Sequence, residues 1–190
     1  QLRNWNMNFV HGDILDKDLI KKYCTDADVV HHLAGVTDVP RVKSESNSEN
    51  DTKIKLVAED GTQNILDVIT DECKIILPST HVVYEGLEKV KTDILEEEET
   101  KPVLAYASSK AINEEQLKKS GKNFIILRLG SVYGYSSDTA RIDILPNLFS
   151  KISSQDGTLK LFAGGRQLKS LVPLIDVARC FKFMEEKNEI

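Results

Sequence analysis

The sequence predicts an α/β fold, a doubly wound parallel sheet with the start of a smaller lobe at its C-terminal end. Three observations predict this fold. Short apolar strands alternate with helical patterns at least four times between residues 8 and 129. The strands are nearly continuous apolar runs, which is typical of a parallel sheet covered on both faces. Each strand also ends in small or polar residues, at the sheet edge where such folds bind ligands.

Composition and charge exclude several classes of protein. The 190 residues are 41% hydrophobic and 29% charged, which is ordinary for a globular chain with one sizeable core. A net charge of -5 offers no footprint for nucleic acid, and no apolar run is long enough to span a membrane. Cys24, Cys73 and Cys180 are widely spaced and favour a reduced, cytoplasmic protein over a disulfide framework or a metal site.

Elements in the first part of the chain follow from apolar spacing and from turn residues. The predicted order is strand 8–13, helix 15–23, strand 28–35, a polar loop over 37–51, helix 54–69 and strand 74–77. Gly61 lies inside the second of these helices, where it costs about 1 kcal/mol relative to Ala, so we expect close packing against a neighbour there. The chain begins at Gln1, close to its first strand, and we expect it to be part of a longer protein.

Elements in the second part follow from the same signals. The predicted order is a solvated acidic excursion over 85–102, helix 106–119 ending at Gly121, strand 124–129, helix 141–152 interrupted by Pro146, strand 158–162 and helix 176–185 capped by Asp176. We expect residues 1–135 to form the sheet domain, without its first strand-helix-strand unit. Residues 136–190 are expected to form part of a smaller lobe over the crevice.

Tyr106 and Lys110 are spaced four residues apart on a predicted helix, which places them on one face, one turn from each other. A nearby ammonium favours the ionised form of a phenol, whose ordinary pKa is about 10. The pair can therefore supply a base near neutral pH. The hydroxyl of Thr80, at the end of strand 74–77, is expected to orient a substrate oxygen.

Three other polar residues have ordinary structural explanations. His31 and His32 are adjacent on a strand and therefore point to opposite faces, so we expect hydrogen-bonded sheet histidines and no metal ligands. Arg128, near the end of strand 124–129, is expected to pair with a carboxylate.

Seven short segments occur in the order in which one enzyme family carries them. They are Gly12-Asp13-Ile14, His32-Leu33-Ala34-Gly35, Gly61-Thr62-Gln63-Asn64, Ser79-Thr80-His81-Val82-Val83-Tyr84, Tyr106-Ala107-Ser108-Ser109-Lys110, Leu127-Arg128-Leu129-Gly130-Ser131-Val132-Tyr133-Gly134, and Gly165-Arg166-Gln167 ahead of Val172 and Asp176. Through these segments the chain resembles the extended short-chain dehydrogenase/reductase family, especially its NAD-dependent sugar-nucleotide epimerases and dehydratases. The resemblance covers nearly the whole chain and implies a Rossmann-like sheet.

The resemblance implies NAD as the cofactor, with NADP possible, a nucleotide-sugar as the substrate, and a homodimer. Tyr106 would be the acid/base, Lys110 would bind the nicotinamide ribose and lower the pKa of the tyrosine, and Thr80 would hydrogen-bond the reacting sugar hydroxyl. Cofactor contacts would come from Asp13, Ile14, Leu33, Ala34, Gly35, Ser79 and Lys110. Substrate contacts would come from Thr80, His81, Ser131, Arg166 and Lys169.

The chain departs from the family pattern at several positions. Ala58 and Ser131 stand where the family usually carries Asn, and Lys169 stands where it carries an Arg that forms a bidentate phosphate contact. His81-Val82 replaces the Asp-Glu pair of the dehydratases, so the acid and base for water elimination are missing. No Gly-x-x-Gly-x-x-Gly turn is found, and we expect these 190 residues alone to bind NAD poorly.

Three functions follow from these features. The first is an NAD-dependent epimerase that oxidises a sugar carbon of a nucleotide-sugar and returns the hydride to the opposite face. The second is an NAD(P)-dependent reductase of a carbonyl or sugar on the same fold. The third is a non-catalytic fragment or binding module, which Ala58 and the absent glycine turn would suit.

Overall fold

The computed structural model of the chain describes residues 7–37, 48–89, 91–136 and 141–187. The helices and strands in this part of the chain are α1 Lys17–Cys24, β1 Val29–His31, α2 Ser48–Leu66, β2 Lys74–Thr80, α3 Ala105–Ser120, β3 Asn123–Leu129, β4 Ser131–Tyr133, α4 Leu145–Ser153, β5 Leu171–Pro173 and α5 Leu174–Glu186. Two 3-10 turns cover His81–Tyr84 and Phe162–Gly165. None of the described helices is both long and apolar enough to cross a membrane.

The central sheet is parallel, with the strands in the order β1-β2-β3. β2 pairs with β3 along its whole length, from Lys74 opposite Asn123 to Thr80 opposite Leu129. β4 and β5 form a separate parallel pair. The prediction of an α/β fold with parallel strands is confirmed.

Helices lie on both faces of the central sheet. His31 and His32 follow one another at the end of β1 and therefore point to opposite faces. The Nε2 of His31 lies 2.6 Å from Glu185 of α5, whereas the Nε2 of His32 lies 2.8 Å from the hydroxyl of Thr62 in α2. Each histidine thus makes a hydrogen bond to a helix on its own side of the sheet, and the sheet is doubly wound. The expectation that both histidines are hydrogen-bonded is met at Nε2, whereas Nδ1 of His32 has no partner in the described part of the chain.

The core centres on β2. Ile75, Ile76 and Leu77 are fully buried, which stabilises the fold by about 1.5–3 kcal/mol for each side chain. Ile75 and Leu77 join a cluster that also contains Ile65, Leu66, Ile69, Cys73 and Leu117. These residues come from α2, β2, α3 and the turn before β2, so the two helices are packed on the strand whose end forms the site.

Gly61 lies where α2 meets the segment before α1. A Cβ added at Gly61 would come 2.8 Å from the Cγ2 of Ile14. The expectation of close packing at this glycine is therefore confirmed.

The predicted strand over residues 8–13 is wrong. This segment has no regular structure, and the apolar side chains of Phe9 and Val10 are exposed. A strand requires a neighbour to accept and donate its backbone hydrogen bonds, and no described strand pairs with these residues. The strand predicted over 28–35 is likewise shortened to Val29–His31, because Leu33, Ala34 and Gly35 are exposed beyond the end of the sheet.

Helix α2 starts earlier than the sequence suggested. It covers Ser48–Leu66, so the last four residues of the predicted loop 37–51 are helical. Residues 38–47 of that loop lie outside the described residues. The polar first turn carries Glu49 and Asp51, and acidic side chains at this end of a helix are favoured by its dipole.

The C-terminal elements differ from the prediction in three ways. Pro146 lies in the first turn of α4, where a proline has no hydrogen bond to lose, so it begins the helix instead of interrupting it. The strand predicted over 158–162 is not formed. Asp176 lies within the first turn of α5, whose N-cap is Pro173. Because β4 pairs with β5, the second sheet uses residues from both sides of the predicted domain boundary at 135/136.

Candidate active site

A cavity of about 500 Å³ opens at the carboxyl ends of the strands of the central sheet. Its walls also include β4, the segment after β4, and the starts of α4 and α5. Eight residues that the sequence predicted for the site line this cavity: Leu33, Gly35, Ser79, Thr80, His81, Tyr106, Lys110 and Ser131. The ends of three predicted strands, 28–35, 74–77 and 124–129, therefore meet there.

Three predicted cofactor contacts lie outside this cavity. Asp13 is exposed, and its carboxylate accepts a hydrogen bond of 3.0 Å from the backbone N–H of Leu15. Ile14 is half-buried and packs on the core, and its carbonyl accepts a bond of 3.1 Å from Asn64. Ala34 is exposed beside Gly35. Their binding roles stay predictions.

Arg166 and Lys169, predicted to contact the substrate, are exposed and do not line the cavity. Lys169 acts instead on the carboxyl group of Glu85, in the turn after β2. Burial raises the pKa of Glu85, and the charges of His81 and Lys169 lower it. An ammonium thus lies close enough to the turn after β2 to influence a carboxyl there.

Thr80 and His81 are fixed by backbone contacts at the end of β2. The Thr80 hydroxyl accepts a bond of 3.3 Å from the N–H of Val82 and so caps the 3-10 turn. The Nδ1 of His81 donates to the carbonyl of Leu129, at 3.1 Å, which leaves Nε2 as the acceptor of the neutral ring. The hydroxyl and the imidazole are thereby held at the wall of the cavity.

Tyr106 and Lys110 both lie in α3 and reach the same cavity. Burial raises the pKa of Tyr106, and the charge of Arg141 opposes that rise. This is opposite in direction to the shift that the sequence predicted, because loss of water around the phenol outweighs the charge of Arg141. Burial also lowers the pKa of Lys110 to about 8, while the carboxylate of Glu114 raises it.

His32 is a buried residue whose pKa responds to the charge of Lys110. The residue is 2% exposed; its Nε2 is bonded to Thr62, and its Nδ1 has no hydrogen-bond partner. Burial, and secondly the charge of Lys110, lower the pKa of His32 to about 4. The imidazole is therefore neutral at physiological pH.

Sequence reasoning missed three residues that shape the site. Arg141 lines the cavity and acts on Tyr106. Asn147 of α4 donates to the carbonyl of Arg141 at 2.9 Å and accepts from the N–H of Gly134 at 3.2 Å, so it joins the two loops. Glu114 is buried behind the cavity and binds Ser79 and Arg128. Only Glu114 had a sequence signal, its spacing of four residues from Lys110.

Arg128 confirms the expectation that it pairs with a carboxylate. Its guanidinium forms a fork on Glu114, with an Nη2–Oε2 distance of 2.6 Å, and also donates to the Tyr84 hydroxyl. It donates further to the carbonyl of Glu96 at 2.8 Å, and therefore holds the acidic excursion against the sheet.

The arrangement brings a phenol, an amine and a threonine hydroxyl to one cavity. Such a set can bind a ligand oxygen and move a proton to or from it. No cluster of three or more His, Cys, Asp or Glu side chains suited to a metal ion occurs among the described residues.

Comparison with known proteins identifies a family. The profile of the NAD dependent epimerase/dehydratase family matches residues 1–190. A curated relative, the probable low-salt glycan biosynthesis reductase Agl14 of Haloferax volcanii, is 31% identical over 147 residues. That alignment covers 76% of this chain and 46% of the relative.

Two solved structures share the fold along nearly the whole chain. The UDP-glucuronic acid 4-epimerase of Bacillus cereus, in complex with UDP-glucuronic acid and NAD, has a TM-score of 0.78 and 24% identity, over 99% of this chain and 60% of that one. The UDP-glucose 4-epimerase of Thermotoga maritima, with UDP-glucose, has a TM-score of 0.77 and 21% identity, over 97% and 62%. The chain thus spans about half to three fifths of the length of these proteins.

Proposed function

This chain belongs to the NAD dependent epimerase/dehydratase family, and we propose that the protein carrying it is an NAD-dependent epimerase of a nucleotide-sugar. One observation carries the proposal: Tyr106, Lys110 and Thr80 line one cavity at the carboxyl ends of a parallel sheet. These residue types, in this fold, are the groups needed to take a proton from a sugar hydroxyl and to hold its oxygen.

The residues present fit the reactive half of a dinucleotide. Leu33, Gly35 and Lys110 line the same cavity, and a Cβ placed on Gly35 would meet no atom within 4 Å. A backbone that open admits close approach of a ligand. Lys110 would hold the nicotinamide ribose through hydrogen bonds from its ammonium. Bound NAD would accept a hydride from the sugar and return it.

Proton transfer is the task of the protein's own side chains. Oxidation of a sugar hydroxyl requires its proton to be removed, and Tyr106 would accept it. Because burial raises the pKa of this phenol, its ionised form depends on nearby positive charge. Arg141 acts on the phenol in this way; the ammonium of Lys110, which lines the same cavity, would add to it, and Thr80 would orient the reacting oxygen.

The substrate would extend from the cavity toward α4 and β5. Ser131, Arg141 and Asn147 line that side, and they offer a hydroxyl, a guanidinium and an amide to polar ligand groups. Lys169 lies near Glu85, beyond the margin of the cavity. A nucleotide diphosphate that extends past this margin would meet the ammonium of Lys169 as a point charge.

A reductase is the second candidate. It is favoured by the 31% identity to the probable reductase of Haloferax volcanii. The two reactions would use the same residues, Tyr106, Lys110 and Thr80. In an epimerase the hydride returns to the sugar from which it came, whereas in a reductase a reduced cofactor donates a hydride to a carbonyl. Elimination of water is disfavoured, because His81 and Val82 provide neither the acid nor the base that follows the threonine in dehydratases.

The test is an assay of the natural protein that contains these residues, supplied with NAD and a panel of UDP- and dTDP-sugars. We expect one sugar to be converted to its epimer while the amount of NADH stays constant, because each hydride is returned. Product formation that consumes one NADH for each turnover would identify the reductase instead. Failure to convert any nucleotide-sugar in either direction would contradict both candidates and favour a binding module.

A further inference from the structure

Glu114 is a buried carboxylate that the proposed proton transfer does not use directly. It is 1% exposed and follows Lys110 by four residues and Tyr106 by eight in α3, so the three side chains share one face of the helix. An ionised carboxylate without water is costly unless it is paired and hydrogen-bonded. The partners of Glu114 therefore show what holds it there.

The partners of Glu114 come from two strands of the sheet. Arg128 of β3 donates to both carboxylate oxygens, with Nε at 3.0 and 3.2 Å and Nη2 at 2.6 Å. This fork alone would satisfy the charge. Ser79 of β2 nevertheless donates its hydroxyl to Oε1 as well. Ser79 lines the cavity and precedes Thr80, so the carboxylate ties α3 to the strand end that carries the threonine.

Lys110 is the second group on which Glu114 acts. The amine is mostly buried, and burial disfavours its charged form, whereas the carboxylate favours it. Among the described residues, the other ionisable side chains that line the cavity with Lys110 are Tyr106 of its own helix, His81 of the turn after β2, Tyr133 of β4 and Arg141 before α4. His32, at the end of β1, lies close enough for the charge of Lys110 to lower its pKa. Of these groups and Glu114, Glu114 is the carboxyl group, and its charge raises the pKa of Lys110 against the effect of burial.

We propose that Glu114 is a positioning residue of the site, which keeps Lys110 positively charged and fixes the end of β2 relative to α3. The catalytic part of this inference rests on the proposed function, in which Lys110 would stabilise the phenolate of Tyr106 only in its protonated, positively charged form. Through Arg128 the same carboxylate also holds Tyr84 and the carbonyl of Glu96, which orders the loop beside the cavity.

The test compares Glu114→Gln with Glu115→Gln, a matched change at an exposed position of the same helix that bonds only Lys118 and Lys119 among the described residues. The titration of Lys110 is followed by NMR in protein labelled at the lysine side chains, and its signal is identified by its loss in Lys110→Arg. We expect Lys110 to lose its proton at lower pH in Glu114→Gln, and to titrate as in the wild type in Glu115→Gln. Turnover by Glu114→Gln should fall at least tenfold, with the loss greatest on the alkaline side.

Equal titration of Lys110 in the wild type and in Glu114→Gln would overturn the proposal. Loss of a purely structural ion pair would lower the stability of the protein without shifting the titration of Lys110. If Glu114→Gln does not fold, the double change Glu114→Gln with Arg128→Met removes the unpaired guanidinium, and the same titration decides. The measurement needs no substrate. A wild type that converts no sugar would therefore count against the proposed function alone, while the shift of Lys110 would still support or overturn the role of Glu114.

Discussion

Tyr106 and Lys110 of α3 and Thr80 of β2 bring a phenol, an amine and a hydroxyl to one cavity. The four-residue interval between Tyr106 and Lys110, and the position of Thr80 at a strand end, are visible in the sequence. The predicted direction of the Tyr106 pKa shift was wrong, because burial raises this pKa and the spacing of residues does not show burial. Arg141, at the start of the segment predicted as helix 141–152, acts on the phenol, but its position near Tyr106 depends on tertiary packing that the sequence does not show.

His32 provides a prediction about pH and stability. Its pKa is lowered to about 4 in the folded protein, from an ordinary 6.5. As the pH falls from 6.5 to about 4, the unfolded chain therefore binds a proton that the native imidazole does not, and stability is lost. This difference of 2.5 units corresponds to a loss of roughly 3 kcal/mol in the free energy of unfolding.

The measurement is urea unfolding of the wild type and of His32→Gln between pH 4 and about 7. The glutamine can still bond Thr62 but cannot be protonated, so the gap between the two proteins should narrow or reverse toward acid pH. His11→Gln, at an exposed position, is the matched control and should follow the wild type. Parallel pH curves for the wild type and His32→Gln would show that the buried imidazole does not govern this window.

At the scale of elements, prediction succeeded where apolar runs are long and capped. β2, α3 and β3 were predicted within three residues of their observed bounds, and α3 ends at Gly121, whose φ of 70° is the left-handed conformation expected of a C-terminal glycine. β4 and β5 were missed, because three residues carry too little periodicity and their pairing joins segments about 40 residues apart. The strand predicted over 8–13 was wrong for a related reason: its apolar run suits a strand, but whether another strand pairs with it depends on the tertiary structure.

A substitution at Gly130 would test the packing at the junction between β3 and β4. A Cβ at this position would lie 2.9 Å from the carbonyl oxygen of Ser170, an atom that also accepts a bond of 2.8 Å from Ser131. Since backbone cannot move aside as a side chain can, Gly130→Ala should lower the free energy of unfolding by about 1–3 kcal/mol. Gly35→Ala is the matched control, with no atom within 4 Å, and should change stability by less than about 0.5 kcal/mol. Equal denaturation midpoints for the two variants would contradict this view of the β4–β5 junction.

At the scale of the whole molecule, the order of strands and helices was sufficient to predict a parallel, doubly wound sheet and the edge at which its site lies. The extent of the cavity was not predictable. Its far side comes from Tyr133, Arg141, Ile144, Asn147 and Leu174, which reach the strand ends only because β4 pairs with β5. The separate roles of residues 1–135 and 136–190 stay a prediction, as does pairing of two copies.

The central claim is that Tyr106 transfers the proton. The most direct measurement compares kcat for the preferred nucleotide-sugar between Tyr106→Phe and Tyr133→Phe, two changes that each remove one phenolic hydroxyl from the same cavity, with folding checked by the midpoint of urea unfolding. Our account predicts that Tyr106→Phe lowers kcat by about 10²–10⁴-fold, whereas Tyr133→Phe lowers it by less than about tenfold. Nearly unchanged turnover in a folded Tyr106→Phe protein would contradict it.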